Sequence, residues 1–498
     1  MTRFSVVIPT VGRPSLRALL ESLGAARGPR PERVVVVDDR RRPDGPLLAS
    51  TGSWVDEVLD VRAGGGRGPA AARNVGWRAG SGEWIAFLDD DVLVPPTWLA
   101  DLAGDLAGLS PDVGGSAGHI VVPLPAGRRP TDWERGTAGL ATSKWITADI
   151  AYRRLALLTV GGFDERFPRA FREDADLALR VQDAGWRLTT GARRTTHPVR
   201  PASWRASLDQ QRGNADDVLM TRLHGRDWYA RAEAPVGRRP GHLATTAALV
   251  GATGAVLSGR PRTAAVAGAA WLGLTAEFAW RRIAPGPRDR AEVARMLATS
   301  VLIPPAAVRH WLHGQWQHRS AAPWRPPVEA VLFDRDGTLV HDVPYNGDPA
   351  QVRPVAGARD AVQRLRAAGV KVGVVSNQSG VARGALGLDD VARVNARVDE
   401  LIGPFDTWQI CPHGEDDGCG CRKPAPGMVL AAAEELGVAP DRIVLVGDIG
   451  TDVAAGEAAG ARAYLVPTPV TRAEEVAAAR LTAANLTAVV DALLGRAS

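Results

Sequence analysis

The stretch Val331-Leu332-Phe333-Asp334-Arg335-Asp336-Gly337-Thr338-Leu339 decides the fold of the second half of the chain. Its first residues are apolar without polar alternation, which is typical of a parallel strand buried on both faces. Two carboxylates spaced i, i+2 follow, at the strand end where open α/β sheets bind ligands. The first could attack phosphorus without a base, and the second could protonate the leaving oxygen and then activate water. The alternative is a pair of acids that only cap a turn.

Further polar residues follow later strand-like runs in the same half. They occur in Ser376-Asn377-Gln378-Ser379-Gly380, in Cys421-Arg422-Lys423-Pro424 and in Gly447-Asp448-Ile449-Gly450-Thr451-Asp452. A hydroxyl and a lysine can hold phosphate oxygens, and Asp334 and Asp448 can share Mg²⁺. The order of these motifs resembles the haloacid-dehalogenase superfamily, and this resemblance implies a Mg²⁺-dependent phosphatase.

All three cysteines of the chain lie in one short segment with a histidine, in the pattern Cys411-x-His413-x5-Cys419-x-Cys421. Three cysteines so placed cannot form a disulfide framework, and they indicate a metal site in a reducing compartment. A closed shell of three cysteines and one histidine is typical of structural Zn²⁺. The alternative is a set of unligated thiols in a glycine-rich loop. Because the loop directly precedes Arg422 and Lys423, metal loss is expected to misplace the lysine.

The cysteine loop and Ser376-Asn377-Gln378-Ser379-Gly380-Val381-Ala382-Arg383-Gly384 narrow the resemblance to one branch of the superfamily. This branch contains heptose 1,7-bisphosphate 7-phosphatase and histidinol-phosphate phosphatase. The resemblance implies that Asp334 is the nucleophile and Asp336 the acid/base. It implies that Ser376, Asn377 and Lys423 contact the phosphate and that Arg422 contacts the substrate. It also implies that Mg²⁺ binds to Asp334, the Asp336 carbonyl and Asp448, with support from Asp452. The run Val340-His341-Asp342-Val343-Pro344-Tyr345 departs from the heptose enzymes, which usually place Asn after the Leu/Ile position.

The first half of the chain, from Phe4 to about Trp204, also alternates apolar strand-like runs with helical stretches, and a second parallel α/β sheet is predicted there. Acidic residues follow two of the runs, in Asp38-Asp39 and in Asp89-Asp90-Asp91. An acid at the first position can bind a nucleobase or ribose, and Asp89 with Asp91 can hold a divalent ion against a diphosphate.

Three further motifs complete the pattern of this half: Ala72-Arg73-Asn74-Val75-Gly76, Arg172-Glu173-Asp174-Ala175-Asp176-Leu177, and Thr196-His197-Pro198. The whole order resembles family 2 glycosyltransferases of the GT-A fold. The resemblance implies substrate contacts at Asp39 and Arg73, a base at Asp174 or less readily Glu173, and Mg²⁺ or Mn²⁺ on Asp89 and Asp91. His197 either joins Asp91 at the metal or is structural. Arg40-Arg41-Arg42 stands where the family usually has a nearby serine.

The segment 232–327 between the halves is rich in Ala, Gly and Pro and holds two uncharged stretches, Leu243 to Gly259 and Thr263 to Ala276. Both are short for a bilayer span. Two interpretations stay open, a helical hairpin packed on a domain and a segment lying in a membrane surface beside Arg281 and Arg282.

The composition limits the partners. The net charge is +5, and almost all of the positive charge is arginine, since lysine occurs only at 144, 371 and 423. The chain has no run of five basic residues, so its charge pattern does not indicate a nucleic-acid groove. A weak attraction to anionic substrates or membrane surfaces remains. The residues Met1-Thr2-Arg3-Phe4-Ser5 enter a strand-like run without a leader pattern, which favours the cytoplasm, including the inner face of the cell membrane.

The sequence therefore predicts two Rossmann-like α/β domains, a glycosyltransferase domain over 1–231 and a phosphatase domain with a zinc loop over 328–498, joined by the helical segment 232–327. The main hypothesis is a bifunctional enzyme acting on nucleotide sugars and on a sugar phosphate, with a glycan or lipid-linked acceptor. Heptose bisphosphate is the favoured phosphatase substrate, because a nucleotide-heptose pathway belongs beside a glycosyltransferase. Two alternatives are a histidinol-phosphate-type phosphatase with an inactive sugar-binding module, and a membrane-attached scaffold of a glycan pathway.

Overall fold

A computed structural model describes residues 2–48 and 50–494. The chain divides into two compact units, one ending at Trp324 and the other beginning at Arg325. Each unit is built on its own sheet.

The first unit contains a seven-stranded sheet in the order β3-β2-β1-β4-β6-β5-β7. Its strands are β1 (Phe4–Thr10), β2 (Val34–Asp38), β3 (Leu59–Ala63), β4 (Trp84–Leu88), β5 (Val113–Val121), β6 (Asp149–Arg153) and β7 (Arg187–Thr196). The first four are mutually parallel, as predicted. The sheet is not parallel throughout, because β6 runs antiparallel to both β4 and β5.

Helices cover both faces of this sheet, which explains the apolar strands. Val6 and Ile8 enter the core formed with the first and fourth helices, whereas Val7 faces the core formed with the third, sixth and seventh. The α-helices among the described residues up to 231 are α1 (Ser15–Gly24), α2 (Val55–Val58), α3 (Pro69–Ala79), α4 (Trp98–Leu106), α5 (Asp132–Ala138), α6 (Arg154–Val160), α7 (Glu173–Asp183), α8 (Ala206–Asp209), α9 (Gly213–His224) and α10 (Trp228–Arg231).

Three long helices follow in the same unit: α11 (Arg239–Leu257), α12 (Pro261–Ile283) and α13 (Arg290–Gln317). The first two hold the uncharged stretches and form a hairpin, and α13 packs on α9. Within the described residues, α13 is the one helix whose length and composition would allow it to cross a membrane, and 39% of its apolar window is buried inside the protein.

The second unit contains a five-stranded sheet in the order β10-β9-β8-β11-β12, parallel throughout. Its strands are β8 (Ala330–Phe333), β9 (Lys371–Asn377), β10 (Thr407–Cys411), β11 (Ile443–Gly447) and β12 (Arg462–Leu465). Its helices are α14 (Ala358–Ala367), α15 (Leu388–Ile402), α16 (Gly427–Leu436), α17 (Gly450–Ala459), α18 (Ala473–Ala478) and α19 (Leu486–Leu494). Val331 and Phe333 face α14, α15 and α19, while Ala330 and Leu332 face α16 and α17. The predicted class, two Rossmann-like α/β domains, is confirmed, and the helical segment that follows the first sheet belongs to the same compact unit as that sheet.

Candidate functional sites

In the second unit, polar side chains meet at the carboxyl edge of the sheet. Asp334 follows the central strand β8, Ser376 lies near the end of β9, and Asp448 follows β11. Because β8 lies between β9 and β11, these three positions are neighbours in space. This edge is where parallel α/β sheets bind ligands.

Three buried carboxylates lie together at this edge, those of Asp334, Asp448 and Asp452, with oxygens within 4.8 Å of one another. Lys423 Nζ donates a hydrogen bond to Asp334, lies 2.6 Å from Asp452 Oδ1 and donates to the Val375 carbonyl at 3.0 Å. Three carboxylates against one ammonium leave an excess of negative charge in a buried place. Such an excess needs a cation, so the donor set fits a divalent ion that prefers oxygen ligands.

The pKa values of the site reflect this excess. Burial raises the pKa of Asp334 to about 8; Lys423 opposes the rise, and Asp452 and Asp336 add to it. Burial likewise raises the pKa of Asp448 to about 6. Burial lowers the pKa of Lys423, but Asp334 and Asp452 outweigh burial and raise it. The lysine therefore stays charged, and a further cation would favour the ionised carboxylates.

The backbone conformation of Gly337 explains why a glycine follows Asp336. Its φ of +81° lies in the left-handed region, and a Cβ atom there would come within 2.3 Å of Asp448 Oδ2. Only glycine lets the loop after β8 pass so close to the carboxylate of Asp448.

Asp336 is held apart from the three carboxylates. In the described chain its carboxylate is outside the group of Asp334, Asp448 and Asp452, and it accepts hydrogen bonds from Gln378 Nε2 at 3.0 Å and from Arg335 Nε at 3.1 Å. The buried Arg335 also donates to Asn395 Oδ1 on α15 at 2.7 Å. The carboxylate of Asp336 is thus held in place by Arg335 and Gln378 and is partly exposed.

Ser376, Asn377 and Arg422, which the sequence predicted to contact phosphate or substrate, each have different hydrogen-bond partners. Ser376 Oγ is buried and accepts from Gln378 Nε2 at 2.9 Å. The side-chain amide of Asn377 is bonded at 3.1 Å to both the backbone N–H and the carbonyl of Lys423, so it positions the lysine loop. Arg422 donates to Glu415 at 3.3 Å and to the His413 carbonyl at 3.4 Å. Sequence reasoning missed Arg335, Gln378 and Asn395, although Arg335 and Gln378 stand inside the quoted motifs.

The cysteine loop places four ligand atoms within 4.8 Å of one another, those of Cys411, His413, Cys419 and Cys421. Cys411 Sγ lies 3.7 Å from Cys419 Sγ and 3.4 Å from Cys421 Sγ, and His413 Nδ1 lies 3.3 Å from Cys421 Sγ. With a Zn–S distance near 2.3 Å, the edge of a tetrahedral site is about 3.8 Å between two sulfurs. The four residues therefore fit one tetrahedral metal ion.

In the first unit, residues after β1, β2 and β4 line a cavity of 810 Å³. Its ionisable lining residues include Arg13, Asp39, Arg40, Arg41, Arg67, Arg73, Asp89, Asp90, Asp91, His197 and Arg200. The mixture of arginines and aspartates at the carboxyl ends of parallel strands suits a phosphorylated ligand.

The three consecutive aspartates after β4 have separate partners. Asp89 Oδ1 accepts from Arg73 at 2.7 Å, and Asp90 accepts from Arg13 at 2.6 Å. Asp91 Oδ1 lies 3.5 Å from His197 Nε2, and its Oδ2 lies 2.8 Å from Arg200 Nε. The structure thus brings Asp91 and His197 together and turns Asp89 toward Arg73. Burial raises the pKa of Asp91, and His197 opposes that rise.

Arg73 connects the cavity to the start of α7. Fully buried, it donates to Asp89 and, at 2.8 Å, to Glu173 Oε1. Burial, strengthened by the charge of Asp174, raises the pKa of Glu173 to about 8, and Arg73 opposes the rise. Asp174 Oδ1 accepts from the Ala175 N–H at 2.7 Å, and burial raises the pKa of Asp174 as well.

The side chain of Asp39 is hydrogen-bonded to the backbone of a neighbouring loop. Its two carboxylate oxygens accept from the backbone N–H groups of Arg67, at 3.0 Å, and Gly68, at 2.8 Å, while the residue still lines the cavity. Arg40 instead pairs with Asp38 at 2.8 Å. Sequence reasoning missed Arg13 and Arg200, since neither belongs to a recognisable motif.

Comparison with known proteins gives matches for both units. Residues 5–138 match the model of glycosyl transferase family 2, and residues 420–495 match a HAD-hydrolase-like model. The D-glycero-beta-D-manno-heptose-1,7-bisphosphate 7-phosphatase of Pseudomonas putida is 38% identical over 146 residues, which are 28% of this chain and 83% of that protein. The enzyme of the same name from Pseudomonas aeruginosa is 38% identical over 143 residues, 28% of this chain and 80% of that protein.

One solved structure is of a D,D-heptose 1,7-bisphosphate phosphatase from B. bronchiseptica, complexed with magnesium and phosphate. It is 30% identical and has a TM-score of 0.31, with 34% of this chain and all of that chain covered.

Proposed function

Because the chain belongs, through its second unit, to the family of the heptose-bisphosphate phosphatases and carries a family 2 glycosyl transferase domain, we propose that its phosphatase hydrolyses a heptose 1,7-bisphosphate. The chain is a phosphatase fused to a glycosyltransferase; its substrates, ions and steps are the subject of the proposal. The observation that carries the phosphatase proposal is the contact of Lys423 with Asp334 and Asp452 beside Asp448.

The phosphatase steps follow from the roles available to the side chains. Asp334 attacks phosphorus, the bond to the sugar oxygen breaks, and Asp336 gives its proton to that oxygen. Asp336 then takes a proton from water, which attacks the aspartyl phosphate and regenerates Asp334. Lys423 and Ser376 hold the phosphate oxygens. Mg²⁺, which Asp334 and Asp448 would hold with support from Asp452, would neutralise phosphate charge.

A substrate comparison tests this proposal directly. We expect purified full-length protein with Mg²⁺ to release phosphate from both anomers of D-glycero-D-manno-heptose 1,7-bisphosphate with a higher kcat/KM than from histidinol phosphate. The fusion to a glycosyltransferase supports the sugar substrate, since a phosphatase of a nucleotide-heptose pathway belongs beside a glycosyltransferase. A preference for histidinol phosphate would contradict the assignment.

For the first unit we propose inverting transfer from a nucleotide sugar to a glycan or lipid-linked acceptor. The arginines of the 810 Å³ cavity would bind the diphosphate, and Asp91 with His197 would hold Mg²⁺ or Mn²⁺. Asp89 stays a predicted ligand, although its carboxylate pairs with Arg73. The release of nucleoside diphosphate from a panel of ADP-, GDP- and UDP-sugars would identify the donor, and no release from any of them would favour a sugar-binding module.

We propose that Cys411, His413, Cys419 and Cys421 hold a structural Zn²⁺, which implies a reducing compartment such as the cytoplasm. Cys421→Ser is expected to remove the ion and lower the melting temperature of the second unit by at least about 10 °C, because structural zinc contributes several kcal/mol of folding free energy. Phosphatase turnover should fall as well, since Lys423 lies two residues beyond Cys421.

Zinc content by mass spectrometry and calorimetric melting check this prediction. Asp416→Asn is the matched control, because Asp416 is an exposed residue of the same loop. We expect one zinc per chain in the wild type and in the control. Equal zinc content in Cys421→Ser would contradict the assignment.

A further inference from the structure

We propose that the hairpin of α11, α12 and the turn 258–260 between them inserts into the interface of an anionic lipid bilayer. The inference concerns a surface that neither proposed reaction uses. It follows from how the hairpin is anchored at one end, exposed at the other, and charged only at its margins.

The base of the hairpin is fixed to the first unit. Arg282, near the end of α12, pairs with Asp132 of α5 at 2.7 Å and donates to Thr299 Oγ1 of α13 at 2.8 Å. Asp132 also donates its backbone N–H to Glu292 of α13 at 2.8 Å. This network holds α12 and α13 against α5, so the hairpin is attached to the first unit through the end of α12.

Apolar side chains of the hairpin are exposed between its base and the arginines of the turn. Only Thr245 and Ala255 are buried in α11, and only Ala279 and Arg282 in α12. Leu257 is 83% exposed and Val266 is 73% exposed, although both are branched aliphatic side chains. Soluble proteins rarely expose contiguous apolar surface of this kind unless it binds something.

The charges of this segment lie only at the margins of the apolar surface. No charged residue occurs in 243–259 or in 263–276, and 238–288 contains seven arginines against one acid, Glu277. Arg260 lies in the turn and Arg262 directly after it, and Arg281 and Arg288 lie near the base. Trp280 lies beside Arg288, 5.8 Å from its guanidinium carbon, and is itself exposed. Arginine and tryptophan around an apolar surface are typical of contact with anionic headgroups.

A bilayer explains this exposure better than a second protein copy does. Val250 and Leu257 lie on one side of α11, seven residues apart, whereas Val256 lies about 100° round the helix from Leu257. The exposed apolar side chains therefore cover an arc of about 100° on α11. Seven arginines against one acid in 238–288 favour an anionic lipid surface over a second copy of the same hairpin, which would carry the same positive charge.

The length of the apolar stretches limits the depth of insertion. Residues 243–259 would extend roughly 25 Å as a helix, less than the hydrocarbon core of about 30 Å. The arginines at the turn also favour the headgroup region. The hairpin therefore lies in one leaflet and does not cross the membrane.

Vesicle sedimentation of the full-length protein tests the proposal. We expect binding to vesicles of phosphatidylglycerol and phosphatidylcholine, weaker binding to phosphatidylcholine alone, and a loss of at least about tenfold in the partition coefficient for Leu257→Asp with Val266→Asp. Leu388→Asp is the matched control, because Leu388 is a 61% exposed leucine of the second unit and should leave binding unchanged.

Phosphatase turnover and circular dichroism of the same preparations show that each variant is folded, and both should equal the wild type. Binding of wild type and double variant alike to the anionic vesicles would overturn the proposal. So would the absence of wild-type binding, or a wild-type dimer in solution that the double variant abolishes without any vesicle binding. Vesicle binding is measured without substrate, so its outcome is independent of the proposed reactions.

Discussion

Replacing Asp334 by Asn is expected to lower phosphatase kcat at least about a thousandfold, while the protein remains folded. The amide has nearly the shape of the carboxylate but cannot attack phosphorus, so the step that forms the aspartyl phosphate is lost. The substitution also removes the negative charge that Lys423 contacts. Phosphate release under single-turnover conditions, with saturating Mg²⁺ and the substrate preferred by the wild type, measures the effect.

Two further variants make this result specific. Asp336→Asn should lower kcat as well, because the proton for the leaving oxygen is lost, whereas Asp342→Asn should change it little. Asp342 is an exposed carboxylate of the following loop and so controls for a general loss of charge near the site. If Asp334→Asn retained more than a tenth of wild-type turnover, Asp334 would not be the nucleophile.

The phosphatase site was largely predictable from the sequence for a geometric reason. Asp334, Ser376 and Asp448 directly follow, or lie near the end of, an apolar strand, and in a parallel sheet these ends meet at one edge. The contacts that hold Asp336 in place through Arg335 and Asn395 were not predictable in the same way. Asn395 reaches Arg335 from the middle of α15, and nothing in an amphipathic helix marks which polar residue faces the site.

The transferase site was less predictable because its buried Arg73 joins residues far apart in the chain. Arg73 lies between Asp89 and Glu173, which is one hundred residues away, and so the pairing depends on how α3 and α7 pack on the sheet. The antiparallel strand β6 was also missed, since Ile150, Ala151 and Tyr152 have the same buried apolar pattern as a parallel strand.

The hairpin illustrates a third limit. Its uncharged stretches predicted two helices, but composition alone leaves open whether Ala-rich helices are covered by the protein. The structure shows that Leu257 and Val266 stay exposed while Arg282 is buried in the ion pair with Asp132. Which side chains of the hairpin stay exposed depends on how its helices pack, and the membrane proposal is argued from that exposure.

The second large effect is expected at the start of α7. Asp174→Asn should lower the rate of sugar transfer about a thousandfold or more, because the acceptor hydroxyl would lose its base. Glu173→Gln should retain activity within about tenfold at pH 7. The rate of nucleoside diphosphate release from the preferred donor, with acceptor present, measures both variants, and circular dichroism checks that α7 is intact.

The distinction between the two acids comes from the charge that each carries. Burial and the neighbouring charge of Asp174 raise the pKa of Glu173 to about 8, so Glu173 is mainly protonated at pH 7 beside a charged Asp174. A neutral glutamine then imitates the protonated state, and any change of wild-type rate near pH 8 that arises from Glu173 should vanish in Glu173→Gln. If Glu173 were the base instead, the wild-type rate would rise as pH passes through 8, and Glu173→Gln would abolish transfer at every pH. The two pH profiles therefore decide which carboxylate takes the proton, because only the base must be ionised for the reaction to occur.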